Sequence, residues 1–318
     1  MIDSDCMKKL AVFVFLIPLV LFISGCVEGG GLGGLMGVGT EEVEEPDDVL
    51  VIRNQRVDPS TVNAEGQFEF SFELTNLFDA ESARNVEVRL YDSGMCDLRP
   101  GHDPQAIDGD SIFEGATRVI EWGMDAPTDQ ELGHMAGSCP LKYYVKYEFD
   151  AYSRSDVYVM DEDVSRDSEV ASVSPTTGKA RGPVKVDIDF SGQQPFRSGS
   201  AIPFQVRLRN AGDGSLDDLT PRDVSITLDY GETEKELGYD EYLDEETDWK
   251  TGCRSPVGDS EELQFIDGRT PPISCRLYPD GYSEYFEEPL SSFQIRVNVE
   301  DYEYTLEGEG SVSIQPTL

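Results

Sequence analysis

The chain has 318 residues and a mass of 35.3 kDa, a length that suggests about two domains. Its 25 Lys and Arg stand against 63 Asp and Glu, a formal charge of −38. That balance removes the basic face that nucleic acid or an anionic membrane surface requires. Disorder does not follow from the charge, because aromatics at 10% and abundant β-branched residues suffice for packed cores. Six cysteines are too few for a disulfide-scaffold miniprotein.

Lys8 and Lys9 precede an apolar run of 14 residues, 10–23, interrupted only by Pro18. The run is short for a bilayer span and right for the apolar region of a secretory signal. It ends in Ile23-Ser24-Gly25-Cys26, which resembles the prokaryotic lipobox: an aliphatic residue, two small residues, then Cys. The resemblance implies that residues 1–25 are a signal peptide and that the Cys26 thiol carries the lipid. Met7-Lys8-Lys9 also reads as a natural start, which leaves residues 1–6, with Cys6, as an upstream extension.

Gly29, Gly31 and Gly34 match the spacing G-x-G-x-x-G. A dinucleotide site needs that motif between a strand and a helix; here it lies between the expected anchor and an acidic run, 41–48. Glycines make a flexible coil and like charges extend it, so residues 26–48 read as a tether reaching roughly 25–30 Å. The chain has only 8 Lys against 17 Arg. Acid-rich, Lys-poor composition resembles the surfaces of extreme halophiles, where salt shortens the Debye length to about 3 Å at 1 M and screens self-repulsion.

Two segments further on align by eye. Phe68-Glu69-Phe70-Ser71-Phe72-Glu73-Leu74-Thr75-Asn76 and Ile202-Pro203-Phe204-Gln205-Val206-Arg207-Leu208-Arg209-Asn210 both alternate with period two and end at Asn. That pattern predicts a half-buried strand running into a turn. A second pair follows, residues 84–90 and 222–228, the latter after a longer loop with Gly212 and Gly214. Each copy opens with a β-rich segment, 49–57 and 184–190. Each closes with a long alternating strand, 141–149 and 293–299, then a short one, 157–160 and 312–314. No long window has helical periodicity. About seven short strands per copy predict an all-β fold of two tandem β-sandwiches.

The strand ending in Asn, the loop, and Arg-x-Val-x-Val-x-Leu at 84–90 resemble the tandem immunoglobulin-like or CARDB-like modules of archaeal surface proteins. So does Arg118-Val119-Ile120-Glu121-Trp122 with Ala126-Pro127 after it. The resemblance implies a halophilic archaeal surface lipoprotein with no shared catalytic residues. The expected modules are 49–160 and 183–318, separated by an Asp/Glu/Ser-rich linker at 161–182. The second carries an acidic, aromatic insertion at about 231–290.

Cys96 and Cys139 fall in the first module, Cys253 and Cys275 in the second. In a secreted chain this suggests one disulfide per module, although three connectivities are open. His102 and His134 read as loop residues, with a copper site near Met135 and Cys96 as the sharper alternative. No nucleophile elbow, zincin motif or phosphate loop is present, and carboxylates are too numerous for any pair to signal glycosidase chemistry. Asp213, Asp217 and Asp218, like Asp108 and Asp110, offer loop oxygens to calcium, but a full site needs six to eight. In the insertion, Tyr239, Tyr242, Trp249, Tyr282 and Tyr285 are the candidate binding residues, because aromatics with polar handles favour interfaces. The alternative is that they cover sandwich edges.

The expected protein is therefore a non-enzymatic envelope protein without cofactor. It is held at the outer face of the membrane by lipidated Cys26 and acts in spacing, adhesion or scaffolding. The second reading is a recognition module that binds a glycan, peptide or envelope partner through the insertion.

Overall fold

The computed structural model describes residues 47–78, 81–161, 172, 176–179, 182–230, 233–239, 252–258, 261–278 and 290–317. Among them the chain is all-β, with no α-helix and one 3₁₀ turn at Pro221–Asp223. The strands are β1 (Leu50–Asp58), β2 (Thr61–Asn63), β3 (Gln67–Asn76), β4 (Ala83–Asp92), β5 (Asp97–Leu98), β6 (Gln105–Ile112), β7 (Thr117–Asp125), β8 (Gly137–Met160) and β9 (Thr177–Lys179). They continue as β10 (Val184–Phe190), β11 (Phe196–Arg197), β12 (Ile202–Asn210), β13 (Ser215–Asp217), β14 (Val224–Tyr230), β15 (Thr233–Glu236), β16 (Gly252–Arg254), β17 (Ile273–Leu277) and β18 (Leu290–Gln315).

The period-two segments form the strands they predict. In β3, Phe68, Phe70, Phe72 and Leu74 are buried, and in β12 so are Ile202, Phe204, Val206 and Leu208. Two four-stranded sheets have equivalent orders, β1-β3-β7-β5 and β10-β12-β17-β16. A third sheet runs β15-β14-β18-β8-β4-β6, with four short strands, β2, β9, β11 and β13, beside its two longest.

Those two strands organise the molecule. β8 has 24 residues and β18 has 26, and they pair antiparallel from Leu290↔Met160 to Ile314↔Gly137. β4 pairs with the first half of β8, at 142–148, and β14 pairs with the first half of β18, at 294–299. An immunoglobulin sandwich sets strands A-B-E-D against C-F-G. In lobe 1, A-B-E-D are β1, β3, β7 and β5, C is β4, and F is the first half of β8. Strand G is the second half of β18. In lobe 2, A-B-E-D are β10, β12, β17 and β16, C is β14, and F is the first half of β18. Strand G is the second half of β8. Each lobe receives its last strand from the other.

This corrects the expected order of strands. Residues 157–160 do not turn back to close the first module, and 312–314 do not close the second; they are the far ends of β8 and β18, in the opposite lobes. The physical cause is the lack of a turn signal. No Gly or Pro interrupts 141–160 or 290–307, so the extended chain runs on across the molecule. The lobes are thus joined within a continuous sheet rather than only through 161–182, of which 177–179 itself forms β9 on β8. One buried apolar cluster extends through both lobes.

Midway along the shared pair, the register slips between Val299 and Tyr302. Asp301 adopts φ 51° there, and its amide donates to Asp150 at 2.7 Å. Arg84 donates both guanidinium arms to Asp150 at 2.7 and 2.8 Å and one to Asp301 at 2.8 Å. The fork on the carboxylate is a geometrically specific, charge-assisted contact, and here it spans the waist. Close by, Lys185 pairs with Asp47 at 2.6 Å, and the Tyr304 hydroxyl accepts from the Gly214 amide at 2.8 Å. The described chain therefore begins at the waist, between the lobes.

Candidate binding faces

Of the residues singled out by sequence, Cys26, Tyr242, Trp249, Tyr282 and Tyr285 lie outside the described residues. Tyr239 is half-buried against the core, and its hydroxyl donates to the Val224 carbonyl at 2.6 Å. Its polar handle serves the fold.

Cys96 is disulfide-bonded to Cys139, and Cys253 to Cys275. The first bond ties the loop before β5 to β8, across the two layers of lobe 1. The second ties neighbouring strands, since Cys253 and Cys275 face each other in the β16–β17 ladder with Cα atoms 4.0 Å apart. Cys96 is thereby withdrawn from the copper alternative. Nδ1 of His102 accepts the Gly123 amide at 3.3 Å, and His134 sits in a left-handed turn at φ 58°.

The calcium candidates Asp213, Asp217 and Asp218 lie on and beside β13. The Asp213 amide donates to the Asp48 carboxylate at 3.2 Å. Asp217 lies on β13 opposite Glu303, and Asp218 takes a left-handed turn at φ 58°. Among the described residues no three His, Cys, Asp or Glu converge as metal ligands. Asp48 is buried, and burial pushes its carboxyl above the usual range against the pull of the Asp213 amide.

Sequence reasoning missed the outer faces of the two four-stranded sheets. Each carries a hollow over its second and third strands, extended onto β1 in lobe 1 and onto β16 in lobe 2. In lobe 1 it measures about 640 Å³ and is lined by Asn54, Arg56, Ser71, Glu73, Val119 and Glu121. A bulge in β1 between Arg53 and Arg56 shapes it. Asn54 takes φ 51°, and Gln55 accepts from the Tyr143 hydroxyl at 2.6 Å. In lobe 2 the hollow measures about 370 Å³ and includes Pro203, Gln205, Arg254, Ser274 and Arg276.

The registers make the two faces comparable residue by residue. Ser71 pairs with Glu121 and Gln205 with Ser274; Glu69 pairs with Gly123 and Pro203 with Arg276. Arg53 faces Glu73 in lobe 1, whereas Asp187 faces Arg207 in lobe 2. Lobe 1 presents Arg53 and Arg56 with Asp58, Glu69, Glu73, Asp97, Glu121 and Asp125. Lobe 2 presents Lys185, Arg207, Arg209, Arg254 and Arg276 with Asp187 and Asp189. The faces have opposite charge. A signal was available in the aligned segments themselves, where Glu69 and Glu73 in one stand against Arg207 and Arg209 in the other.

Lobe 1 also has an open flank. β6 ends its sheet, and β5 covers β7 only at Asp125 and Met124. A cleft of about 390 Å³ lies between them, lined in part by His102, Gln105, Ile107, Arg118 and Glu121. Val119, shared with the neighbouring hollow's lining, is 61% exposed.

No protein-family model and no curated protein sequence matches the chain. Among solved structures, the chain aligns with the collagen adhesin CNA from S. aureus over 85% of this chain and 93% of that one, at 10% identity and a TM-score of 0.18. It aligns with the Enterococcus faecalis MSCRAMM ACE, described as binding its ligands by the collagen Hug model, over 84% and 96%, at 6% identity and a TM-score of 0.16. Scores at this level carry no argument about ligand or role. Among the described residues, no helix is long and apolar enough to cross a membrane.

Proposed function

We propose that the chain is a lipid-anchored envelope protein, held at the outer face of the membrane through Cys26, whose welded two-lobed body serves as a rigid spacer and adhesion scaffold. It acts without cofactor or catalysis. The observation that carries this reading is the β8–β18 pairing across both lobes. A joint made of continuous backbone hydrogen bonds resists bending far better than a flexible linker. Two faces of opposite charge are then presented at fixed separation.

The test is membrane fractionation of the wild type and Cys26→Ser from their own cells. Release of the variant into the soluble fraction supports the anchor, and equal retention contradicts it.

Recognition is the second reading, with the outer faces in place of the insertion as the surfaces that the described structure supports.

A further inference from the structure

β7 is an edge strand along most of its length. β3 pairs with it from Thr75↔Thr117 to Gln67↔Asp125 without a slip, while β5 reaches only Asp125 and Met124. The Asn76 amide donates to the Ala116 carbonyl, so even-numbered residues of β7 turn their backbone groups toward β3. Odd-numbered residues turn theirs away from it. The loop after β5 takes those of Gly123, whose carbonyl accepts from the Arg99 amide and whose amide donates to Nδ1 of His102. Among the described residues, the outward amides and carbonyls of Thr117, Val119 and Glu121 have no backbone partner.

The devices that blunt an edge strand are missing here. The other end of the same sheet, β1, is bulged between Arg53 and Arg56, and β6 slips register three times against β4. In lobe 2 the equivalent strand, β17, is covered by β16 at Ser274, Cys275 and Arg276. β7 has no bulge, no Pro and no Lys. Beside its edge lies the cleft of about 390 Å³ toward β6. Val119 is 61% exposed at that edge, and Phe113, 63% exposed, lies in the turn that joins β6 to β7.

We infer that this edge takes up an extended segment of a partner protein as an added strand, one that alternates apolar and cationic residues. Backbone hydrogen bonds to Thr117, Val119 and Glu121 set its register over about 14 Å. Side chains of an added strand point alternately to the two faces of the sheet. On the inner face they meet the cleft, where Ile120 is buried and Ile107 is half-buried. On the outer face they meet Val119 and Glu121, with Glu73 across from Val119. Apolar side chains suit the first, and Lys or Arg suits the second. Acids prevail around the cleft as well, where Asp103, Asp110 and Glu121 outnumber Arg118. A second copy of the chain is a poor occupant, because 63 acids against 25 Lys and Arg set like charge against like. Binding at this edge is independent of the anchor.

The probe is a fluorescent peptide of about ten residues alternating Val and Lys, long enough to span the edge. The reference has the same residues in two blocks. Each is titrated against the full chain by anisotropy at about 0.15 M salt, where the Debye length is about 8 Å. The alternating peptide is expected to bind about tenfold more tightly than the block peptide. Val119→Pro removes one outward amide and leaves the β3 ladder intact. It is expected to weaken binding about tenfold, the scale of a lost hydrogen bond. Val119→Thr keeps the amide and is expected to bind like the wild type. Glu121→Gln is expected to weaken binding about threefold. Val119→Lys keeps the backbone whole and sets like charge against the peptide, so it replaces Val119→Pro if the proline variant does not fold; about tenfold weakening is again expected. Glu262→Lys changes the net charge further, at an exposed site off this flank, and is expected to leave binding unchanged. Equal binding of the two peptides overturns the inference, as does a loss from Glu262→Lys equal to that from Val119→Lys, because both mean diffuse attraction to an acidic chain. Undiminished binding by folded Val119→Pro overturns it, and so does absence of binding by the wild type. Self-association without peptide that Val119→Pro abolishes overturns it too, by making a second copy the occupant.

Discussion

Where lobe 1 buries Trp122 on β7, opposite Phe70, lobe 2 places Cys275 on β17, opposite Phe204. The strand plan is the same; the filling differs. Trp122 stacks on Phe70 at 5.7 Å between ring centroids, and Phe72 stacks on Tyr143 at 4.5 Å, so aromatic area holds the centre of lobe 1. The corresponding position in lobe 2 is occupied by a cross-strand disulfide. Lobe 1 keeps its own disulfide at the layer edge, from Cys96 to Cys139. The outer faces diverge as well, acidic in lobe 1 and arginine-rich in lobe 2. Core positions tolerate exchange of one apolar filling for another, and outward positions are free to change sign, while backbone pairing preserves the common frame.

The largest test of that contrast is Trp122→Ala. It removes the aromatic centre of lobe 1 and is expected to cost about 3–5 kcal/mol in denaturant unfolding. Next come the disulfides. Replacing Cys96 and Cys139 by Ser opens a 43-residue span, and replacing Cys253 and Cys275 a 22-residue span. Loop entropy gives about 4 and about 3.5 kcal/mol respectively, so two nearly equal losses are expected despite the different placements. A much smaller loss at Cys253 and Cys275 would mean that the ladder already constrains those strands in the unfolded ensemble.

Tyr304→Phe has a smaller reach. Its hydroxyl accepts from Gly214 and donates to Asn210 at 3.1 Å, and its loss is expected to cost about 1–2 kcal/mol. Arg84→Ala comes last. Arg84 and Asp150 side chains are 37% and 41% exposed, so after solvent screening the pair contributes about 1 kcal/mol or less. Its signature is the pH dependence. The Arg84 fork holds the Asp150 carboxyl below its usual range. A depressed folded pKa adds stability above the unfolded value, about 3.9, and that contribution is lost as pH falls through the folded one. The difference between wild type and Arg84→Ala, followed by thermal melts, is therefore expected to shrink below about pH 4.

Much of the frame was legible in the sequence. Period-two alternation marked β3, β4, β12 and most of β14, because one face of each is buried and the other is not. What escaped was the course of β8 and β18. Ser153 and Ser155 are buried inward positions on β8, so the apolar alternation fades through the waist although the chain stays extended. The exchange of last strands was thus hidden behind two small polar residues. The candidate faces escaped for another reason. Their polar side chains look like ordinary solvated positions until the register sets Arg254 and Arg276 around Gln205 and Ser274, contributed by three separate strands.

The most direct test of the welded body is scanning calorimetry of the wild type and Trp122→Ala. Strands shared between lobes make unfolding of one remove the last strand of the other. A single transition is expected in both proteins, with matching calorimetric and van't Hoff enthalpies and the whole transition shifted down in the variant. Two transitions, with only one of them lowered by Trp122→Ala, would contradict the account.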